Sequence, residues 1–297
     1  MCGDSTKNTA NYRKLSVRKD INSPLKVLIT GCSSGIGLFC AQQLHNEGHH
    51  VVATVRNQED KTRLEALGLN VIILNLACPK NREAGFNAAI ELLEGRLDLL
   101  FNNGAYGQPG AVEDLPTDVL KQQFEVNFFA WHDLTIRAIR LMHLQGTGKI
   151  VHNSSVLGLV ALPYRGAYNA SKFALEGLTD TLRMELCGTN IHISLIEPGP
   201  IVSKFRENAK KAFLENIDWR SSRHKTEYDN QINRLSASDA PQKFTLGPEA
   251  VYQRLEAIIN SDKPKARYYV TFPTYLMGFL KRILTTAQLD KVLLKNR

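Results

Sequence analysis

Apolar residues come along this chain in short continuous runs separated by amphipathic stretches. Lys26–Gly31 (KVLITG) is a β-branched run ending in glycine, and it reads as a buried strand. Similar runs recur at Val51–Val55, Val71–Leu76, Leu97–Phe101, Ile150–Asn153 and Ile191–Ile196. Between them lie stretches with helical spacing. Gly35–Gly48 brings Ile36, Cys40, Leu44 and His45 near one face; Arg82–Glu94, Asp118–Leu144 (with a break) and Tyr168–Leu186 follow. Strands that are apolar throughout, rather than at alternate positions, are covered on both faces. Their alternation with helices predicts an α/β fold, a doubly wound parallel sheet of Rossmann type with helices on both faces. No repeat or low-complexity linker interrupts 25–297, so one domain is expected after a polar extension at 1–24.

Past Ile196 the pattern loosens. The segment 202–245 is charged and lacks a clear strand, and it reads as a helical lid over the end of the sheet. A helix over Glu249–Ile259, a strand over Tyr268–Phe272 and a final helix over 274–294 complete the expected order. That last helix carries Leu276, Phe279, Leu280, Ile283 and Leu284, interrupted by Lys281 and Arg282. It packs on the core or on a second subunit, with peripheral contact to a membrane surface as the alternative.

Composition narrows the class. With 43% hydrophobic and 22% charged residues the chain is globular rather than disordered. The net charge of +8 is concentrated at the ends: five basic against two acidic residues in 1–24, and eight against two in 262–297. The body is near neutral, which argues against a nucleic-acid partner. No run of apolar residues is long enough to span a membrane. The polar start suggests no signal peptide, and the five cysteines lack CxxC or zinc spacing, so reduced thiols and a cytoplasmic location are expected. The histidines show no metal-ligand spacing, and no metal is assigned.

Three elements carry chemistry. The first strand runs into Thr30-Gly31-Cys32-Ser33-Ser34-Gly35-Ile36-Gly37. Three glycines there permit a tight turn and a close backbone approach, and the free N–H groups at the helix start favour a phosphate. The same residues spell G-x-S-x-G, which leaves open an esterase with Ser33 as nucleophile. Its position after the first strand, and the placing of His192 within a strand, weigh against that. The second element is Tyr168-Asn169-Ala170-Ser171-Lys172: on a helix, positions i and i+4 are neighbours. A cation beside a phenol lowers its pKa, and such a tyrosine can move a proton at a carbonyl or alcohol oxygen. The third is Ser155, directly after the strand Lys149–Ser154.

In order and spacing these elements, with Asn102-Asn103 after the fourth strand, resemble the short-chain dehydrogenases/reductases over about 25–205. The resemblance implies that Tyr168 is the catalytic acid/base, Lys172 lowers its pKa and holds the nicotinamide ribose, and Ser155 hydrogen-bonds the substrate oxygen. It implies too that Asn127 anchors a proton-relay water. The cofactor would be lined by Gly31, Ser33, Ser34, Gly35, Ile36 and Gly37, by Arg56, Asn75 and Leu76, by Asn103, Gly104 and Ala105, by Tyr168 and Lys172, and by Pro198, Gly199, Ile201 and Ser203. Three departures stand out: Gly104-Ala105 inverts the family's small pair, Asn75 replaces its aspartate, and Ser203 its threonine. At the end of the second strand Val55 stands where NAD-specific members carry an acid, and Arg56 follows. An arginine can fork onto a 2′-phosphate, so NADP(H) is expected in preference to NAD(H).

The segment Ala266–Thr274, with the helix after it, resembles the 17β-hydroxysteroid and retinol dehydrogenase-like reductases. The apolar loop Val156–Tyr164 and the lid residues Phe205, Phe213, Leu214 and Trp219 suggest a medium-to-large apolar carbonyl or alcohol substrate, retinoid- or steroid-like on resemblance. The helices Asn127–Leu144 and Tyr168–Leu186 match those that pair between subunits in the family. Leu134, Ile136, Leu141, Leu175, Leu178 and Leu182 look surplus to one sheet contact, so a homodimer or homotetramer is expected. The competing class is a catalytically silent NADP-binding sensor or scaffold, against which the intact Ser155, Tyr168 and Lys172 argue.

Overall fold

Seven strands form one parallel sheet in the order β3-β2-β1-β4-β5-β6-β7 in a computed structural model that describes residues 23–236 and 244–295. The strands are β1 Lys26–Ile29, β2 His50–Val55, β3 Asn70–Ile73, β4 Leu99–Asn102, β5 Gly148–Asn153, β6 Ile191–Glu197 and β7 Arg267–Tyr269. The helices that connect the first six are α1 Gly35–Asn46, α2 Gln58–Glu65, α3 Pro79–Leu92, α4 Thr117–Phe124, α5 Ala130–Gln145 and α6 Gly166–Glu185. They cover both faces. On one, Leu44 and Val251 pack against Val27, Ile29 and Val51; on the other, Trp131, Leu134 and Leu175 pack against Leu28, Leu100 and Ile150. The strand order reverses between β1 and β4, and in a parallel sheet that switch opens a crevice at the carboxyl ends.

The expected strands and helices form, with physical exceptions. The α2 helix was not anticipated; Asn57 caps it, its carboxamide oxygen accepting from the Asp60 N–H at 2.8 Å. The third strand stops at Ile73, short of Leu76, with Leu74 donating one last bond to the Val55 carbonyl at 2.9 Å. Asp118–Leu144 is α4 and α5 joined through a π turn at Glu125–Phe129, which widens the helix at Asn127. The last strand ends at Tyr269, since Pro273 in the first turn begins a helix instead. The single helix expected over 274–294 is two, α10 Phe272–Ile283 and α11 Thr286–Lys295, separated where Leu284 turns extended. Within the lid segment lie α7 Phe205–Asn216 and α8 Lys225–Ser236; α9 Glu249–Ile259 follows it. Residues 237–243 of the lid and all but Ser23 and Pro24 of the basic extension lie outside the described residues.

Part of the apolar surplus assigned to α5 and α6 is core, while Ile136 and Leu178 are half-buried and lie outside the core clusters. Leu134 and Leu175 are buried under the sheet, and Leu141 and Leu182 pack against that cluster. What these helices leave exposed is Leu144, Phe173 and Met184.

Candidate active site

The chemistry-bearing residues gather at the carboxyl ends of β1, β4, β5 and β6. After β1 the backbone turns through Gly31, at φ +72°, and enters α1. A Cβ on Gly31 would stand 2.4 Å from the Gly104 Cα, and one on Gly37 would stand 2.4 Å from the Gly31 carbonyl oxygen and 2.6 Å from Asn103 Nδ2. Glycine at these positions is therefore what lets the β1 and β4 turns interlock. Gly104 in its inverted place meets the same demand, for a Cβ there would come within 2.8 Å of Leu76. Thr30 clamps the pair: its hydroxyl accepts from the Asn103 and Gly104 N–H groups at 2.8 and 2.9 Å. Asn103 Nδ2 returns bonds to the Thr30 and Gly31 carbonyls, and Ala105 packs on the core behind.

Ser34 caps α1 from extended backbone without a side-chain hydrogen bond, so its hydroxyl satisfies none of the N–H groups at the helix start. Ser33 and Ile36 are half-buried beside it. A glycine cradle and unsatisfied N–H donors at a helix start fit a pyrophosphate. Gly35, at φ +57°, lies under Ser203, whose Cβ a side chain there would approach to 2.9 Å, so the loop after β6 overhangs this cradle. That loop is itself held: Pro198 accepts from Val156 N–H at 2.8 Å, Gly199 sits against Thr271, and Ile201 bridges to Leu246.

At the end of β2, Val55 is buried and Arg56 reaches solvent. A second guanidinium, on Arg63 of α2, donates to the Ser33 carbonyl at 2.5 Å; periodicity gave no sign of it because α2 itself was not anticipated. Asn75 is exposed after β3, and its carboxamide oxygen accepts from the Ala77 N–H. A carboxamide oxygen accepts two hydrogen bonds, so the exposed Asn75 keeps the capacity to meet a ligand.

Ser155, Tyr168 and Lys172 come together. Lys172, buried on the second turn of α6, donates to the Asn153 carbonyl at 2.8 Å and lies 4.2 Å from the centre of the Trp131 ring. Ser155, whose oxygen accepts from the Leu157 N–H at 3.1 Å, and Arg165 both favour the Tyr168 phenolate. Burial nevertheless dominates and pushes Tyr168 up to about 12. It drags Lys172 down to about 7 against the pull of Glu176. Burial weighs against the charged form of each group, of Lys172 from a fully buried side chain and of Tyr168 from a half-buried one. Asn127 is fully buried on the π turn, its side chain spent on Tyr106, donating to the carbonyl at 2.8 Å and accepting from the N–H at 3.1 Å. Its carboxamide therefore braces the β4 loop and is not free to hold a relay water.

Behind this site runs a buried polar network that sequence spacing did not single out. Ser154 donates to Glu176 at 2.5 Å, and Arg267 of β7 pairs with Glu176, Asp180 and Glu197. In front, Phe205 of α7 stands edge-on to Tyr168 with ring centres 5.4 Å apart. Of the other residues of this segment, Phe213 and Trp219 pack with Ile217 and Tyr228 against Ala111, Leu115 and Tyr164, and Leu214 faces solvent. Much of the apolar loop is also core: Val156, Leu159, Val160 and Leu162 pack under α10 and α11 with Met277, Leu289 and Leu293. Among the described residues Phe205 is the aromatic ring that packs on Tyr168.

For an esterase the histidines are misplaced. His192 pairs in register with Lys149 near the amino end of the sheet, opposite to Ser33, and His224 is held by Glu113 and Tyr164 on the lid. Among the described residues no cluster could hold a metal ion, and no helix is long and apolar enough to cross a membrane. Cys32, next to the glycine turn, is buried, and burial pushes its thiol up to about 12, so it is no nucleophile.

The sequence profile described as short chain dehydrogenase matches residues 25–213. An uncharacterized oxidoreductase of Escherichia coli, YbbO, is 40% identical over 267 residues, covering 90% of this chain and 93% of its own. Human retinol dehydrogenase 8 is 38% identical over 254 residues, 82% of this chain and 81% of its own. The crystal structure of a short chain dehydrogenase/reductase from Burkholderia phymatum in complex with NAD superposes with a TM-score of 0.69 at 27% identity, covering 88% of this chain and 92% of that one. With a parallel sheet, a glycine turn at its switch point and a Ser-Tyr-Lys set at its carboxyl edge, the chain belongs to the short chain dehydrogenase family of oxidoreductases.

Proposed function

We propose that the protein is an NADP(H)-dependent reductase of apolar aldehydes or ketones, with Tyr168, Ser155 and Lys172 as its working residues. The observation that carries this reading is the buried Lys172, pinned on the Asn153 carbonyl with its ammonium 5.7 Å from the centre of the Tyr168 ring, at the end of the strand that leads to Ser155. The nicotinamide, when bound, supplies the hydride. Ser155 orients the substrate oxygen by donating to it, and Tyr168 gives its proton to that oxygen as charge develops there. Raised by burial, the Tyr168 phenol is protonated at neutral pH and holds the proton that reduction delivers and oxidation returns. Lys172 holds the ribose side of the cofactor; the relay part expected of Asn127 falls to its main-chain carbonyl in the widened π turn.

Gly31 to Gly37 would take the pyrophosphate, and Pro198 to Ser203 the nicotinamide amide. Arg56, exposed and with no acid at Val55, supports preference for a 2′-phosphate. Phe205 over Tyr168, and the similarity to retinol dehydrogenase 8, support an apolar substrate. The test is turnover with NADPH on a homologous series of aliphatic aldehydes, with product identified. Burial of apolar area at about 25 cal/mol per Å² should make kcat/KM climb over several methylenes; a flat profile or a preference for short charged carbonyls would reject the apolar reading, and no turnover at all would favour a binding role. Subunit pairing through α5 and α6 would use the half-buried Ile136 and Leu178 with the exposed Leu144, Phe173 and Met184, and light scattering tests it.

A further inference from the structure

Two features with no part in the reaction meet on one face. The α10 helix is apolar on both sides. Thr274 and Gly278 face inward, and Gly278 lies so close over Tyr269 that a Cβ there would come within 2.6 Å of the ring. On the opposite side Phe272, Tyr275, Leu276, Phe279 and Ile283 follow at helical spacing, with Phe272, Phe279 and Ile283 exposed to 58%, 59% and 58%. Phe244 lengthens this stripe, its ring centre 5.1 Å from that of Phe272. An exposed apolar stripe of this length on a charged protein marks an interaction site.

Beside the stripe, between α9, β7 and α10, lies an open groove of about 440 Å³ lined by Arg254, Lys265, Arg267, Arg282, Tyr268 and Tyr275. Arg267 is neutralised by Glu176, Asp180 and Glu197. Arg254, Lys265 and Arg282 make no ion pair among the described residues; Arg254 spends one N–H on the Tyr269 carbonyl. The groove therefore presents three uncompensated cations. Tyr275 and Arg282 belong to α10 itself, so cations and apolar stripe share one helix.

We propose that this face docks on an anionic lipid bilayer. The α10 helix lies in the plane of the interface with Phe272, Phe279 and Ile283 in the acyl boundary, and Arg254, Lys265 and Arg282 take phosphate-bearing headgroups. A bilayer offers both an apolar layer and fixed negative charge along one edge. A second copy fits less well, because a two-fold contact places the same cations near one another. Docking here would also set the site against its source of apolar substrate: α10 starts beside Thr271, which touches Gly199, and Met277 packs on Val156 next to Ser155. Only this last consequence rests on the proposed reductase reading, and the docking is measured without turnover.

The full-length protein is sedimented with phosphatidylcholine vesicles and with the same vesicles containing phosphatidylglycerol, at low and high salt. Two variants, Phe279→Asp/Ile283→Asp and Lys265→Glu/Arg282→Glu, are run alongside after circular dichroism has shown them folded. The wild type should pellet with the anionic vesicles and release with salt. Each variant should bind at least about tenfold more weakly, a basic side chain near such a surface being worth about fivefold in partitioning. Absence of pelleting, or pelleting that both variants retain, overturns the proposal. So does thermal stabilisation by inorganic phosphate without vesicle binding, which would make the groove a site for a free anion. A wild-type dimer that the apolar variant converts to monomer, with no vesicle binding, would assign the face to a second copy and overturn it equally.

Discussion

The Lys172 ammonium stands 2.8 Å from the Asn153 carbonyl oxygen, so the last residue of β5 and the second turn of α6 are locked together at the point where Tyr168 is presented. Trp131 lies along the same lysine and donates its own N–H to the Gly104 carbonyl at 2.8 Å. Through these two contacts α6 and the Gly104 turn after β4 share one rigid support. Geometry of this kind, held on strands and helices rather than loops, keeps a reacting oxygen within reach of both Ser155 and Tyr168.

Replacing Tyr168 by Phe keeps the ring against Phe205 and removes the proton. Turnover of an aldehyde with NADPH should fall by at least ~10²-fold while NADPH binding, read by fluorescence titration, stays near wild type. Near-normal turnover would remove Tyr168 from the reaction.

Arg56→Ala should erode a preference for NADPH over NADH. A charge-assisted phosphate contact is worth about 1.5–3 kcal/mol, or about 10- to 150-fold in kcat/KM. Equal efficiency of the wild type with both cofactors would show that Arg56 reads no phosphate, and Arg63 on the Ser33 carbonyl would then have only a bracing role.

His152 predicts an acid limb in stability. Its ring sits between the Thr135 and Thr179 hydroxyls at 3.1 and 3.0 Å, and burial, helped by Lys172, lowers its pKa from 6.5 to about 3. Between those values the unfolded chain binds a proton that the folded chain refuses. Stability is therefore whole above pH 6.5 and falls as the pH drops towards 3, by up to about 1.4 kcal/mol per unit. Urea unfolding across this range should show the slope in the wild type and a flatter one in His152→Gln. Identical slopes would locate the acid sensitivity elsewhere.

Two glycine substitutions should act in opposite directions. Gly37→Ala drives a methyl into the Gly31 carbonyl and Asn103, and should cost about 1–3 kcal/mol and weaken cofactor binding. Gly177→Ala, in an exposed turn of α6 with open space around it, should stabilise by about 0.5–1 kcal/mol through helix propensity. Differential scanning calorimetry reads both, and equal shifts would contradict the close packing at Gly37.

Local order sufficed for much of this protein. Apolar runs such as Val27–Ile29 and Ile191–Ile196 cannot be satisfied except inside a sheet covered on both sides, so strand positions and the parallel fold are written in the residues themselves. The glycines at 31, 35 and 37, Ser155 and the Tyr168-Lys172 pair are legible for a similar reason: tight turns and single helix turns are short-range geometry. Packing between distant segments decided the rest. Spacing could not show that Leu134 and Leu175 face the sheet, that Phe213 packs with Ala111 and Tyr228, or that Asn127 is bonded to Tyr106, since each depends on which partner arrives. Desolvation is likewise a property of the assembled surroundings. The sequence placed a lysine one turn from a tyrosine, but only the closed fold, by excluding water from both, set Tyr168 near 12 and Lys172 near 7.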